Sequence, residues 1–251
     1  MTDSLIAIVP AAGVGQRASR AGQACLLPKQ YRQLAGQPML RHAVLALLAD
    51  PRIAQVRVAV SSDDTWASEA LTGLPRVQCR PCGGPTRADT VAAALADSGA
   101  SDDDWILVHD AARPGLPADA LARLIDVCLT DAVGGLLALR VADTVKSERA
   151  GRGADASDAA GGTVVPAESS EMPRVRATLD RDGLWLAQTP QMFRAGLLRA
   201  ALASARSSGV AVTDEASAIE AAGHKPLLVS GSLLNFKVTW PEDFELMEKW
   251  L

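Results

Sequence analysis

Residues 5–9, Leu-Ile-Ala-Ile-Val, form an unbroken apolar run that stops at Pro10 and a glycine-containing loop. That is the pattern of a strand buried on both faces. Runs of the same kind at 56–60, 77–79, 105–109 and 136–141 predict further strands. Between them, apolar residues recur at helical spacing over 39–48, 64–71, 87–95 and 118–129, segments long enough to cross from one parallel strand to the next. The alternation predicts an α/β sandwich with right-handed crossovers, whose ligands bind outside the carboxyl ends of the strands.

The rhythm breaks after Lys146. Residues 147–174 are rich in Ala, Gly, Ser and Asp with little apolar periodicity, and read as a flexible excursion. Regular structure resumes at 176–179 and 184–187, which the turn sequence Asp180-Arg181-Asp182-Gly183 would join as a hairpin. Helices follow at 195–206 and 214–222, strands at 226–229 and 235–238, and Pro241 opens a closing helix. A chain of 251 residues is within reach of one hydrophobic core, so 1–251 is expected to be a single domain with an appendage.

Composition narrows the function classes. With 48% hydrophobic and 22% charged residues the chain is of ordinary globular type. A net charge of -4 argues against a general grip on nucleic acid, so phosphate chemistry would depend on local basic residues. No apolar stretch reaches membrane length, and the run at 5–9 is too short for a secretory segment. Four cysteines, Cys25, Cys79, Cys82 and Cys128, do not make a disulfide framework, and a reducing, cytoplasmic setting is expected. Cys79 and Cys82 have half the spacing of a zinc site, but no second pair accompanies them and they read as structural.

Four constellations could carry chemistry. In Pro10-Ala11-Ala12-Gly13-Val14-Gly15-Gln16-Arg17, small residues let backbone N–H groups cradle a polyphosphate and Arg17 adds a fork of donors. Alone, the segment is equally a ligand-free turn. It lacks the third glycine of a dinucleotide fingerprint and the ending of a Walker loop. Lys29, in Leu27-Pro28-Lys29-Gln30-Tyr31, could neutralise charge growing on a phosphoryl group, although a lone lysine is more often a solvated one. Gly83 and Gly84 run into a helix near Thr90, where backbone amides and a hydroxyl could read a nucleobase edge or merely cap the helix. Asp110, at a strand exit in Val108-His109-Asp110-Ala111-Ala112-Arg113-Pro114, is placed to hold Mg²⁺ or to cap a turn, with Arg113 a candidate phosphate or polyol clamp. His109 reads as a packed or hydrogen-bonded histidine. Arg181 and Lys237 add cations that a compact fold could bring to a second phosphate.

In order along the chain, Ala-Ala-Gly-x-Gly, Pro-Lys-Gln-Tyr, Gly-Gly-x-x-Arg-Ala-Asp, His-Asp-Ala-Ala-Arg-Pro, Gln-Thr-Pro-Gln, Thr-Asp-Glu-Ala-Ser-Ala and Lys-Val-Thr are all present. The ordered set resembles the 2-C-methyl-D-erythritol 4-phosphate cytidylyltransferases of the non-mevalonate isoprenoid pathway, from the first strand to the end of the chain. The resemblance implies transfer of CMP from CTP to the phosphorylated polyol, on a Rossmann-like, mostly parallel sheet flanked by helices. It also implies a protruding β-arm, here 143–181, through which a homodimer forms. By the same resemblance Arg17 and Lys29 would stabilise the α-phosphorus, and Asp110 would hold Mg²⁺ or another divalent cation. Ala12, Gly13, Gly15, Gly84, Thr90 and Ala111 would contact the nucleotide. Thr144, Arg181, Thr189 and Lys237 would bind the acceptor phosphate, with Arg113 near the polyol, and Arg181 would reach across the dimer. Pro85 stands where the family pattern has an aspartate in the base-reading turn.

A ribitol 5-phosphate cytidylyltransferase shares most of these motifs and differs in the acceptor pocket. A nicotinamide-binding oxidoreductase lacks support without the third glycine. A non-catalytic binding protein on the same fold is disfavoured by the presence of both Arg17 and Lys29.

Overall fold

Leu5, Ala7 and Val9 pack into one apolar cluster and Ile6 and Ile8 into another, so β1 (Leu5–Pro10) is covered on both faces. Alternate side chains of a strand point to opposite sides, which is why an uninterrupted apolar run produces a two-sided core. The computed structural model describes residues 3–13, 27–148 and 172–251. After β1 come a small hairpin, β2 (Gln33–Leu34) and β3 (Gln37–Pro38), then α1 (Met39–Leu48), β4 (Ile53–Ala59), α2 (Ala67–Ala70) and β5 (Val77–Arg80). Next are α3 (Arg87–Asp97), β6 (Trp105–Val108), α4 (Ala118–Cys128), β7 (Gly134–Arg140), β8 (Val145–Glu148) and β9 (Val175–Leu179). The described elements end with β10 (Trp185–Arg194), α5 (Ala195–Ser208), α6 (Glu215–Ala221), β11 (Leu227–Ser230) and α7 (Pro241–Glu248).

Seven strands form the main sheet in the order β11-β7-β10-β6-β1-β4-β5. β1 runs parallel to both β4 and β6, and β4 parallel to β5. The chain therefore builds outward from β1 in one direction through β4 and β5, then returns to β6 on the other side. The carboxyl ends of β1 and β6 flank the point of reversal, where such sheets open a crevice. Helices α1 and α4 pack with the first cluster, and α3, α5 and α6 with the second. A third, smaller cluster joins Leu34, Met39, Ala112, Val238, Phe244 and Met247.

Several elements differ from the sequence expectation. β10 is antiparallel to β6, with Gln191 opposite Val108, and so interrupts an otherwise parallel arrangement. Residues 188–194 escaped prediction because Pro190 breaks the strand pattern. The predicted pairing of 176–179 with 184–187 does not occur. β9 pairs instead with β8, Val145 opposite Leu179, while β10 runs on into the main sheet where Met192 and Phe193 are fully buried. Burial of that face sets the register and overrides the local turn signal. The helix predicted at 64–71 shrinks to α2, because Asp64 Oδ1 accepts the N–H groups of Trp66 at 3.0 Å and Ala67 at 2.9 Å and so delays the start. The strand predicted at 235–238 is a 3-10 turn, Leu233–Asn235, followed by an extended segment. Its Val238 N–H bonds the Ala112 carbonyl at 2.8 Å, a loop partner rather than a strand edge.

The chain divides into two units, Met1–Leu139 with Ala187–Leu251, and Arg140–Leu186. Within the second, β8 and β9 pair, the Arg140 guanidinium stacks 4.5 Å from the Trp185 ring centre, and Val141 N–H bonds the Leu184 carbonyl at 3.1 Å. Residues 147 and 148 of the expected excursion thus belong to a strand, whereas 149–171 lie outside the described residues.

Gly134 opens β7 with φ +103°, and a Cβ there would stand 2.1 Å from the Met192 carbonyl oxygen. Both the dihedral and the close approach demand glycine. Gly134→Ala is expected to lower unfolding free energy by at least about 2 kcal/mol. Urea denaturation checks it, and a loss below about 0.5 kcal/mol, the range of an ordinary surface substitution, would contradict this contact.

Candidate active site

The loops leaving β1 and β6 meet at one cavity of about 260 Å³, lined among others by Ala12, Lys29, Gly84, Arg87, Asp110 and Lys237. The first loop is pinned by Ala11, whose N–H bonds Ala59 O at 2.8 Å and whose carbonyl accepts Gln30 Nε2 at 2.8 Å. Gln30 is buried, so this bond also fixes the 3-10 turn Lys29–Tyr31 that presents Lys29. Lys29 Nζ donates to Val238 O at 2.7 Å, tying the turn to the segment that carries Lys237.

Asp110 is the electrostatic centre. Its Oδ1 accepts Arg87 Nε at 2.9 Å and its Oδ2 accepts Lys237 Nζ at 2.8 Å, with Arg113 Nε 3.8 Å from Oδ2. Burial opposes ionisation of this carboxyl, but Arg87, then Lys237 and Arg113, outweigh it and hold the group well below the usual carboxylate range. Arg87 also makes a two-point contact with Glu215, Nη1 to Oε1 at 2.7 Å and Nη2 to Oε2 at 3.0 Å. Glu215 is wholly buried, and burial pushes its carboxyl up against the pull of Arg87.

A neutral chain sits behind the charged one. Burial pushes His109 down to about 4, so its ring is neutral near pH 7. Nε2 faces the Arg113 carbonyl at 3.0 Å, which requires the proton there, and leaves Nδ1 to accept from Thr189 Oγ1 at 3.1 Å. Thr189 Oγ1 in turn accepts the Asp110 N–H at 2.9 Å. The Asp110 amide is therefore held by a neutral acceptor while its carboxylate answers to cations.

The glycine turn is equally constrained. A Cβ on Gly84 would fall 2.6 Å from Asp89 Cβ, so the backbone can approach the helix only without a side chain. Gly84 N–H donates to Thr90 Oγ1 at 3.0 Å, and that hydroxyl donates to Thr86 O at 2.9 Å. Thr86 caps α3 by accepting the Asp89 N–H.

Among the expected site residues, Ala12, Gly13, Lys29, Gly84, Thr90, Asp110, Ala111 and Lys237 share this cavity. Arg17 and Gly15 lie outside the described residues. Arg113 and Thr189 turn inward rather than line the cavity: Arg113 is buried with Nη1 on the Asn235 carbonyl at 2.7 Å, and both partners of the Thr189 hydroxyl are protein atoms. Thr144 and Arg181 belong to the second unit and are exposed there, with Arg181 donating to the Ala142 carbonyl. Sequence reasoning passed over Arg87 and Glu215. Both stood inside the motifs named above, but the contact that joins them spans 128 positions and leaves no local signal.

The profile of the family described as 2-C-methyl-D-erythritol 4-phosphate cytidylyltransferase matches residues 5–251. The chain belongs to that family. A 2-C-methyl-D-erythritol 4-phosphate cytidylyltransferase of Bordetella petrii is 74% identical over 251 residues, and one of Bordetella pertussis is 72% identical, each comparison covering all of both chains. A crystal structure of 4-diphosphocytidyl-2C-methyl-D-erythritol synthase superposes with a TM-score of 0.78 at 38% identity, covering 100% of this chain and 99% of that one. The Francisella tularensis cytidylyltransferase gives 0.75 at 31% identity, over 99% and 100%. Like those relatives, this member of the family is a nucleotidyltransferase on a mostly parallel α/β sheet. Among the described residues, no helix is long and apolar enough to cross a membrane.

Removing the charge of Asp110 leaves Arg87, Arg113 and Lys237 facing one another with only Glu215 to balance them. Asp110→Asn is expected to cost about 3 kcal/mol of stability, and adding CTP should recover more of the melting temperature than it does for the parent. A variant that melts with the parent and gains no more from CTP would contradict this balance.

Proposed function

We propose that this chain transfers CMP from CTP to 2-C-methyl-D-erythritol 4-phosphate, forming 4-diphosphocytidyl-2-C-methyl-D-erythritol and pyrophosphate with a divalent cation, Mg²⁺ being the natural choice. Beside the family membership, one observation carries the reading. Lys29, Lys237 and Arg87 converge with the Asp110 carboxylate on one cavity at the reversal point of the sheet. Arg87 and Lys237 balance Asp110 and Glu215, and with Lys29 they also line the cavity, where they can meet phosphate.

An acceptor phosphate oxygen attacks the α-phosphorus of CTP, and the bond from that phosphorus to its bridging oxygen breaks to release pyrophosphate. The acceptor phosphate is already largely ionised near neutral pH, so alignment and charge neutralisation are the protein's tasks. Lys29 from the first loop, with Arg17, would face charge growing on the α-phosphoryl oxygens, and Lys237 would help orient the incoming phosphate. Ala12, Gly13 and Ala111 offer backbone contacts to the nucleotide, and the Gly84 turn with Thr90 shapes the base end. Thr144 and Arg181 would serve the acceptor phosphate from a partner subunit in a homodimer formed through the arm. Pro85 removes one backbone donor from the base-reading turn, leaving its neighbours to hold cytosine.

The donor set suits a hard, oxygen-seeking cation. Asp110 supplies one carboxylate whose oxygens each accept one cationic donor in this structure and keep further lone pairs. A single carboxylate plus substrate phosphates is ordinary for Mg²⁺. When bound, the ion would neutralise phosphate oxygens of CTP.

Pyrophosphate release with CTP, Mg²⁺ and either acceptor tests the reading. Release should be faster with methylerythritol phosphate, stop on chelation with EDTA and return with excess Mg²⁺. Faster release with ribitol 5-phosphate would overturn the choice of acceptor. Lys29→Ala should lower kcat by roughly 10²–10³-fold with little loss of CTP affinity, and unchanged turnover would remove that lysine from the mechanism.

A further inference from the structure

Glu215 lies outside the cavity lining, yet among the described residues its side chain pairs with Arg87, a cation that lines it. The guanidinium of Arg87 is planar, so seating Nη1 and Nη2 on the two Glu215 oxygens fixes where Nε–H points. It points at Asp110 Oδ1, 2.9 Å away. All three nitrogens are thus divided between two carboxylates, two to Glu215 and one to Asp110.

Glu215 is itself held from both sides. Asp214 caps α6 and exchanges bonds with Ser217 in a capping box. From β10, Gln191 Nε2 donates to Asp214 Oδ2 at 2.9 Å, and Gln191 Oε1 accepts the Ala216 N–H at 2.7 Å. One buried glutamine therefore brackets the residues before and after Glu215. The Thr-Asp-Glu-Ala-Ser-Ala and Gln-Thr-Pro-Gln motifs, far apart in sequence, become one mount for a guanidinium.

We propose that Glu215 is a positioning residue for the transfer: through Arg87 it aims the Asp110 carboxylate and stops the guanidinium from closing a two-point bridge on it. Without Glu215, Arg87 would turn both terminal nitrogens to Asp110, its other carboxylate contact among the described residues, and compete with a divalent cation for the same oxygens. Well-packed apolar side chains often match a buried ion pair in stability, so stability alone does not account for this one. The inference rests on the role assigned above to Asp110 and the cation.

The test compares CTP binding by calorimetry, with and without Mg²⁺, and steady-state kinetics for the parent, Glu215→Gln and the double variant Glu215→Leu/Arg87→Met. In the parent, Mg²⁺ should tighten CTP binding. In Glu215→Gln, metal-free CTP affinity should hold or rise because the cavity gains positive charge, while the Mg²⁺-dependent gain and kcat each fall roughly 10–100-fold with acceptor KM unchanged. The double variant removes both charges together, so its stability should recover, and with no guanidinium left to compete its Mg²⁺-dependent gain should return toward the parent's while kcat stays low because nothing aims the Asp110 carboxylate. Parent-like kcat in the double variant would overturn the proposal, as would an Mg²⁺-dependent gain no greater there than in Glu215→Gln, or equal losses with and without metal in Glu215→Gln. Should Glu215→Gln fail to fold, the double variant decides, and loss of folding in both would assign the pair to stability alone and overturn the proposal. The Mg²⁺ effect on CTP affinity needs no turnover, so a parent that binds CTP but ignores methylerythritol phosphate would sink only the acceptor assignment.

Discussion

A carboxylate withdrawn from water at the end of a sheet can stay charged only where opposite charges are brought to it, and Asp110 places that demand on the whole molecule. Three cations answer: Arg113 from three residues beyond Asp110, and from distant parts of the chain Arg87 at the start of α3 and Lys237 near the carboxyl end. Each must arrive with its own support. Arg87 leans on Glu215 and hence on α6 and β10. Arg113 is buried against the Asn235 carbonyl, and Lys237 rides on a segment whose Val238 is locked into the small cluster beneath α7. Desolvation that would be ruinous for an isolated charge is tolerable inside such a set.

The same arrangement shapes the cavity at the crevice between β1 and β6. Loops leaving two adjacent parallel strands meet there with backbone groups unpaired by the sheet, and small residues such as Ala12 and Ala111 leave those groups open to a ligand. Behind them His109, Thr189 and the Asp110 amide form a neutral relay with no exposed proton donor or acceptor. The division is functional: neutral bonds fix the backbone, where strength without charge suffices, and the ionic bonds face the cavity, where a triphosphate would change the local balance. Phosphoryl transfer by alignment needs no catalytic histidine, and the one at hand is occupied in structure.

The unit Arg140–Leu186 contrasts with this density. The residues of β9 are all exposed and its pairing with β8 is the only sheet it joins. A two-stranded ribbon gains little stability alone, which agrees with its use, in the proposed function, as an arm laid over a second subunit.

Much of the architecture was legible from periodicity because burial on both faces leaves a continuous apolar run, and that signal survives without knowledge of neighbours. It specified β1, β4, β6 and most of the crossover helices, and the order of motifs pointed to Lys29 and Lys237 for phosphate and to Asp110 for a divalent cation. Tertiary structure alone decided the rest. Pro190 hid a strand whose place was set by the burial of Met192 and Phe193, and a local turn signal at 180–183 gave way to pairing between segments separated by the excursion. Glu215 and Gln191 could not be read as parts of the site, because a hydrogen bond between residues 128 or 23 positions apart leaves no trace in local spacing. Which side chain a buried charge faces is a property of packing, and only the folded chain contains it.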